Sequence, residues 1–314
     1  MIVTYKISEQ GLQRVTDESY DVLVLKDATY TEMTSTIERY ELPSDIFKTG
    51  NEAESATRFE RLHGTKLTNA YLLVLMDINS DTSQAIEMRL EPVMIIRSAS
   101  LLIVHLNKGS NFMEHLIEAN NIQLNNQAHI IGCSIYRIAT HFLMELKRVK
   151  GLIDRLDDAA RVTTKNQELF NLADTERLMV YLDHTLKDQR QTLEKLWTHS
   201  DLKEAIADPR FFENLQSREQ HINKLVSIYR DLLETIGGLF NGMMDNNLNH
   251  LMKYLDSASL VVAIPALIAG IWGMNVGGLP VEKTSWGFTA IIIACVVLTI
   301  ATIIHLMLKD YSKD

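Results

Sequence analysis

Cysteine is scarce in this chain: two among 314 residues. Cys133 and Cys295 lie far apart, which leaves neither a disulfide framework nor a cysteine pair for a metal. The ten histidines are scattered, with no His-x-x-x-His spacing. Glycine-rich phosphate loops, nucleophile elbows and metal-hydrolase motifs are absent too, so an enzyme is not expected. Positive charge is in deficit, with 31 Lys and Arg against 40 Asp and Glu and a net charge of −9. Protein affinity for nucleic acid rests largely on Lys and Arg neutralising phosphates, so no nucleic-acid partner is expected. An acidic surface instead suits the concentration of cations, and equally suits an ordinary cytosolic surface. The opening Met1-Ile2-Val3-Thr4-Tyr5-Lys6 lacks the basic region and apolar core of a secretory signal, so the first 250 residues are expected to stay in the cytosol.

What is present is apolar residues gathered in one place. Mean hydropathy is −0.03 although 23% of residues are charged. Ala258–Leu308 holds only Glu282 and Lys283 as full charges. Residues 1–126 read as an α+β domain, with β-rich runs at Tyr20–Leu25, Ala70–Asp77, Val93–Arg97 and Leu101–His105. Ser98-Ala99-Ser100 reads as a hairpin connection, and Asn111–Asn120 as a short helix. Residues 127–214 read as antiparallel helices. Ile131, Ile135, Ile138, Phe142, Leu146, Val149, Ile153 and Leu156 recur at steps of three and four, and a second run over Asn166–Thr198 carries seven leucines. Asp208-Pro209 breaks the pattern, because the residue before proline disfavours helix.

A third helical run follows, with Leu225, Tyr229, Leu232, Ile236, Leu239 and Met243 alternating by four and three. From Leu215 to Asn275 a helix would be roughly 90 Å long at 1.5 Å per residue, the length of a stalk (215–257) that enters a membrane. Gly237-Gly238 would loosen it locally. Ala258–Met274 is uncharged for seventeen residues and Trp286–Leu308 for twenty-three, with eleven residues between them. That spacing predicts an antiparallel hairpin of two membrane helices, 258–275 and 286–308, joined by an extracytoplasmic loop, 276–285. Lys253 and, in the tail 309–314, Lys309 and Lys313 flank the side of the termini, against Lys283 alone in the loop. The positive-inside rule then places both termini in the cytoplasm of a cell-membrane protein.

A plain anchor is one reading of the hairpin. Two features point elsewhere. Small residues crowd the end of the first helix: Ala263, Pro265, Ala266, Ala269, Gly270 and Gly273. Asp245, Asn249, Met252, Asp256, Ser259 and Ala263 also step by four and three, so they share one stripe, and carboxylates so near a membrane are costly unless they face water or a partner. Asp256 on that stripe reads as a cation-attracting carboxylate or as an interfacial helix residue. Met252 and Leu255 read as an apolar constriction or as plain helix packing.

Ile271-Trp272-Gly273-Met274-Asn275 closes the first apolar helix. Gly-Met-Asn in that place, before a short loop and a last membrane helix, resembles the signature of the CorA family of divalent-cation transporters. Asn249-His250-Leu251-Met252-Lys253-Tyr254-Leu255 resembles that family's stalk-to-pore junction. The resemblance implies a homopentameric funnel, with the first membrane helices lining a pore and the second outside them. It implies influx of Mg²⁺ or Co²⁺ through the lipid bilayer, with no cofactor and with Mg²⁺ both substrate and regulatory ligand. It makes Gly273, Met274 and Asn275 a selectivity filter. Five Asn275 amides would take a hydrated ion, Gly273 would allow close backbone approach, and Met274 would pack against the loop. Asn249, Met252, Leu255, Asp256, Ser259 and Ala263 become pore-lining or gating residues, with Asp256 a second metal contact. Two departures stand out. Trp272 replaces the tyrosine of many relatives, and Val276-Gly277-Gly278-Leu279-Pro280 resembles the loop of the ZntB-like branch, whose members handle zinc. A ZntB-like Zn²⁺ transporter, with or without proton coupling, and a two-span sensor or scaffold without transport are the alternatives.

Overall fold

The structure, a computed structural model, describes residues 1–17, 19–47, 57–107, 109–120, 124–162, 165–206, 208–274 and 286–308. Two compact units divide the chain. One comprises Met1–Ala159 with Lys165–Ile236, the other Ala160–Thr164 with Gly237–Asp314.

The first unit is built on a seven-stranded sheet. Its strands are β1 (Ile2–Ser8), β2 (Gly11–Val15), β3 (Val22–Lys26), β4 (Arg58–Arg61), β5 (Tyr71–Ile78), β6 (Leu90–Arg97) and β7 (Leu102–Leu106), in spatial order β2-β1-β3-β7-β6-β5-β4. Among the described residues β3 and β7 pair in parallel, Val24 opposite Val104, and the other pairings are antiparallel. The central strands are near-continuous apolar runs, Val-Leu-Val-Leu in β3 and Leu-Leu-Val-Leu-Met in β5, as expected where both faces are covered. Over one face lies a core of Leu23, Leu25, Leu72, Val74, Ile96 and Ile103 closed by Leu42, Ile46 and Phe47, with Met33 and Ile37 of α1 (Tyr30–Tyr40) packed against it. Thr29 and Glu32 form a reciprocal capping box that starts α1.

The other face carries long helices, α4 (Gln127–Ala160) and α5 (Asn166–His199); the short α2 (Ile86–Arg89), α3 (Phe112–Asn120) and α6 (Leu202–Ile206) link elements. Specific polar contacts pin these helices to the sheet. Gln189 of α5 accepts the Met76 N–H at 3.0 Å, and His141 of α4 meets the Asp77 carboxylate at 2.8 Å. Arg89 donates through both terminal nitrogens to Glu145 of α4, at 2.9 and 2.8 Å. The eight-residue row from Ile131 to Leu156 is buried on α4 throughout.

Asp208-Pro209 ends one helix by starting another. The Asp208 carboxylate accepts the N–H groups of Arg210 and Phe211 at 3.0 and 3.2 Å, and proline suits the first helical position, where its missing N–H is not needed. From there α7 runs unbroken over Pro209–Trp272, 64 residues, or about 95 Å. Gly237-Gly238 does not interrupt it. Its buried row differs from the one the leucines suggest. Phe212, Leu215, Ile222, Val226, Tyr229, Leu233 and Ile236 are buried, whereas Leu232 and Leu239 are 43% and 42% exposed. Two apolar rows compete on this helix, and the fold of a single chain uses the row with the aromatic anchors. The last helix, α8, spans Gly287–Leu308.

Candidate functional site

The candidate site lies on the second unit, along the C-terminal part of α7. Both α7 and α8 contain stretches long and apolar enough to cross a membrane, and almost nothing in those stretches is buried within the chain. Val262 and Leu267 are 70% and 65% exposed. Apolar surface of that extent in one chain calls for lipid or for further protein.

Asn249, Met252, Leu255, Asp256, Ser259 and Ala263 are all exposed on continuous helix. Helical spacing brings Asn249, Met252, Asp256, Ser259 and Ala263 into one stripe, with Leu255 beside it. Three oxygen-bearing side chains, an amide, a carboxylate and a hydroxyl, thus recur at one- and two-turn intervals between apolar residues. The Ser259 hydroxyl donates to the Leu255 carbonyl at 2.8 Å, which leaves its oxygen free to accept. Among the described residues no three of His, Cys, Asp and Glu come together to hold a metal. Such a stripe offers acceptors to the water shell of a cation rather than a ligand cage.

Two backbone features shape the end of the span. Pro265 sits inside the helix and offers no N–H to the Val261 carbonyl, which exposes an acceptor in mid-stretch. Gly273 donates its N–H to Ala269 at 2.9 Å and Met274 closes a tighter turn to Ile271 at 3.3 Å. A Cβ on Gly273 would stand 3.1 Å from the Ala269 carbonyl oxygen, closer than most side chains tolerate, so glycine fits the helix end. Met274 is 54% exposed. Asn275, with the loop that follows, lies outside the described residues.

Sequence reasoning passed over the charged groups inside the first unit. Glu145 is one. Burial works to raise its pKa, but hydrogen bonds from Arg89 and Arg148 outweigh that and hold it below the usual carboxylate range. Glu219, half-buried and in phase with the buried row of α7, is another. The signal was available in its spacing: 212, 215, 219, 222 and 226 alternate by three and four, and only 219 is ionisable.

A sequence profile described as CorA-like Mg²⁺ transporter protein matches residues 23–309. A cobalt/magnesium transport protein CorA of Thermotoga maritima is 18% identical over 247 residues, 77% of this chain and 70% of that one. Its namesake in Methanocaldococcus jannaschii is 22% identical over 175 residues, 54% of each chain. Among solved structures, the complete CorA magnesium transporter of M. jannaschii matches with a TM-score of 0.76 at 16% identity, over 96% of both chains. The cytoplasmic domain of ZntB from Vibrio parahaemolyticus matches with 0.64 at 13% identity, over 78% of this chain and 98% of that one. At such identities the structural likeness speaks to the fold, and the sequence profile speaks to the family. The chain therefore belongs to the CorA-like Mg²⁺ transporter protein family, a family of transporters rather than enzymes.

Proposed function

We propose that this chain is the subunit of a homopentameric membrane channel that admits hydrated Mg²⁺, and Co²⁺ with it, down the electrochemical gradient. The observation that carries this reading is the pair of exposed apolar helices at the C-terminal end of a family member, with an acceptor-bearing stripe on the first and Gly-Met-Asn at its close. α7 lines the pore and α8 lies outside it, with both termini in the cytoplasm of the cell membrane. Five Asn275 amides ring the outer entrance. Mg²⁺ holds six oxygens tightly and sheds water reluctantly, so amide oxygens that accept hydrogen bonds from its hydration shell select it without stripping it. An inside-negative potential favours entry by about 2.3 kcal/mol per charge per 100 mV, doubled for a divalent ion. Asp256 draws cations toward the cytoplasmic end of the pore, and Met252 and Leu255 form a constriction that gates by dewetting. Mg²⁺ bound between cytosolic units holds the closed state, so the cargo is also the regulator.

The likeness to the ZntB cytoplasmic domain and the Gly-Gly-Leu-Pro sequence after Asn275 favour a second reading, import of Zn²⁺. Proteoliposomes separate the two. With a negative internal potential, Mg²⁺ uptake is expected to be fast and Asn275→Ala to reduce it at least tenfold, an effect of about 1.4 kcal/mol or more. Uptake undiminished in that variant rejects Asn275 as the selecting group. Zn²⁺ uptake that requires a pH gradient, with no Mg²⁺ uptake, establishes the zinc reading instead.

A further inference from the structure

The buried row of α7 is apolar at Phe212, Leu215, Ile222, Val226, Tyr229, Leu233 and Ile236. Its steps are three and four throughout, provided that the half-buried Glu219 is counted as a member. A carboxyl group thus stands where the seam between packed helices requires a hydrocarbon. Glu219 lines a small cavity in the first unit, together with Ile135 and Ala139 of α4, Gln189, Leu193 and Trp197 of α5 and its own neighbour Asn223. The cavity measures about 30 Å³, far below the roughly 300 Å³ at which pockets for small organic ligands begin. The cavity therefore takes no organic ligand, whereas a proton reaches the half-buried Glu219.

The charged neighbours also have other partners. From α5, Arg190 lines the cavity but donates to Glu194 at 3.0 Å. From α4, only the uncharged Ile135 and Ala139 face the cavity. On α7 itself, Arg218 turns to α4, donating to Thr140 and Tyr136 at 2.6 and 2.7 Å with its guanidinium 4.0 Å over the Tyr136 ring. The Trp197 indole N–H, buried in the wall, meets no acceptor among the described residues.

We propose that Glu219 is a proton-binding site whose protonation tightens the packing of α7 on α4 and α5 and whose ionisation loosens it. A neutral carboxyl suits the apolar seam, whereas a carboxylate there carries a desolvation cost that Arg190, shared with Glu194, offsets only in part. Burial pushes the Glu219 carboxyl up to about 7, with Arg190 opposing and Glu194 adding to the rise. The folded state therefore holds the proton more tightly than an unfolded chain does. The sign follows: the seam is tightest below neutral pH and weakens as pH rises through about 7. Because α7 is one helix from Pro209 to Trp272, loosening at Glu219 acts on the element that carries the candidate pore stripe. This last step rests on the transport reading; the proton site does not.

Trp197 supplies the test. In the full-length protein with Trp272→Phe and Trp286→Phe, Trp197 is the one indole left of three. Its emission is expected to titrate between about pH 6 and pH 8, with the transition abolished by Glu219→Gln and retained, with its midpoint lowered, in Glu194→Gln. Amide exchange over Leu215–Val226, corrected for intrinsic rates, is expected to be about tenfold slower at the acid end in the wild type and slow at both ends in Glu219→Gln. Emission that does not change with pH, or a transition that survives Glu219→Gln, overturns the proposal. In proteoliposomes held at the same pH on both sides, uptake is expected to change severalfold across this range and to lose that dependence in Glu219→Gln. Uptake independent of pH beside a titrating Trp197 refutes the link to the pore. An absence of uptake at every pH refutes the transport reading and leaves the emission titration to judge Glu219.

Discussion

A single carboxylate, Glu145, bears on two guanidiniums in the first unit. Arg89 is 3% exposed, and its two terminal nitrogens both donate to Glu145, which also accepts from Arg148 Nε at 3.0 Å. An isolated guanidinium that deep is untenable, so the three groups stand or fall together. Glu145→Ala is expected to destabilise the first unit by about 3–5 kcal/mol, because it leaves Arg89 buried without a counter-charge. Adding Arg89→Met is expected to recover much of the loss; urea denaturation of the two variants checks both statements. The pH dependence has a definite sign. A depressed folded-state pKa contributes stability that is present above the ordinary carboxylate range and is lost as pH falls through the folded value. None of this was legible beforehand. Arg89, Glu145 and Arg148 are common surface types, and only the fold that sets α2 against α4 brings the first to the other two.

At the scale of elements, two glycines on α4 carry opposite expectations. Gly151 has open space where a Cβ would stand, whereas at Gly132 that atom would lie 2.7 Å from Cε1 of Phe211. Gly151→Ala is expected to stabilise the first unit by about 0.5–1 kcal/mol through helix propensity alone. Gly132→Ala is expected to destabilise it by about 1–3 kcal/mol through overpacking against the first turn of α7. Thermal denaturation of the pair decides, and a same-sign result refutes the close approach. The elements that the sequence announced are those whose burial is decided within a few residues: the apolar runs of β5, β6 and β7, the Ser98–Ser100 hairpin, α4 and α5. The strands it concealed are β1, β2 and β4. β4, Arg-Phe-Glu-Arg, holds its place by backbone pairing to β5, and charged side chains give no sign of that. The buried row on α7 is concealed for a related reason. Leu225, Leu232 and Leu239 compete with Val226, Leu233 and Phe240 at the same period, and periodicity alone does not rank them. The stripe from Asn249 to Ala263 was legible as a stripe, and among the described residues it is exposed.

For the molecule as a whole, one buried and one half-buried group make opposing contributions to its response to acid. His105 is buried beside Phe47 with ring centroids 5.2 Å apart, and burial pushes its pKa down to about 4. The unfolded chain therefore binds this proton first, and stability falls as pH drops from about 6.5 toward 4. Glu219 acts in the reverse sense, gaining stability as pH falls from about 7 toward the ordinary carboxylate value. Each contribution is on the order of 2–3 kcal/mol, so the two largely offset between about pH 5 and 6.5. Denaturation of His105→Leu across that range is expected to show stability rising with acid, and of Glu219→Gln to show it falling. Parallel slopes in the two variants contradict the assignment.

The unbroken course of α7 has a consequence for rotational phase. Each residue advances a helix by about 100°, so removing one residue anywhere between Gly238 and Lys253 would swing Asp256, Ser259 and Ala263 through more than a quarter turn. Removing seven would return them to within about 20° of their heading and shorten the rod by about 10 Å. Proteins deleted by one and by seven residues thus separate the direction in which the stripe points from the distance at which it stands. If heading governs uptake, the seven-residue deletion is the less damaging of the two.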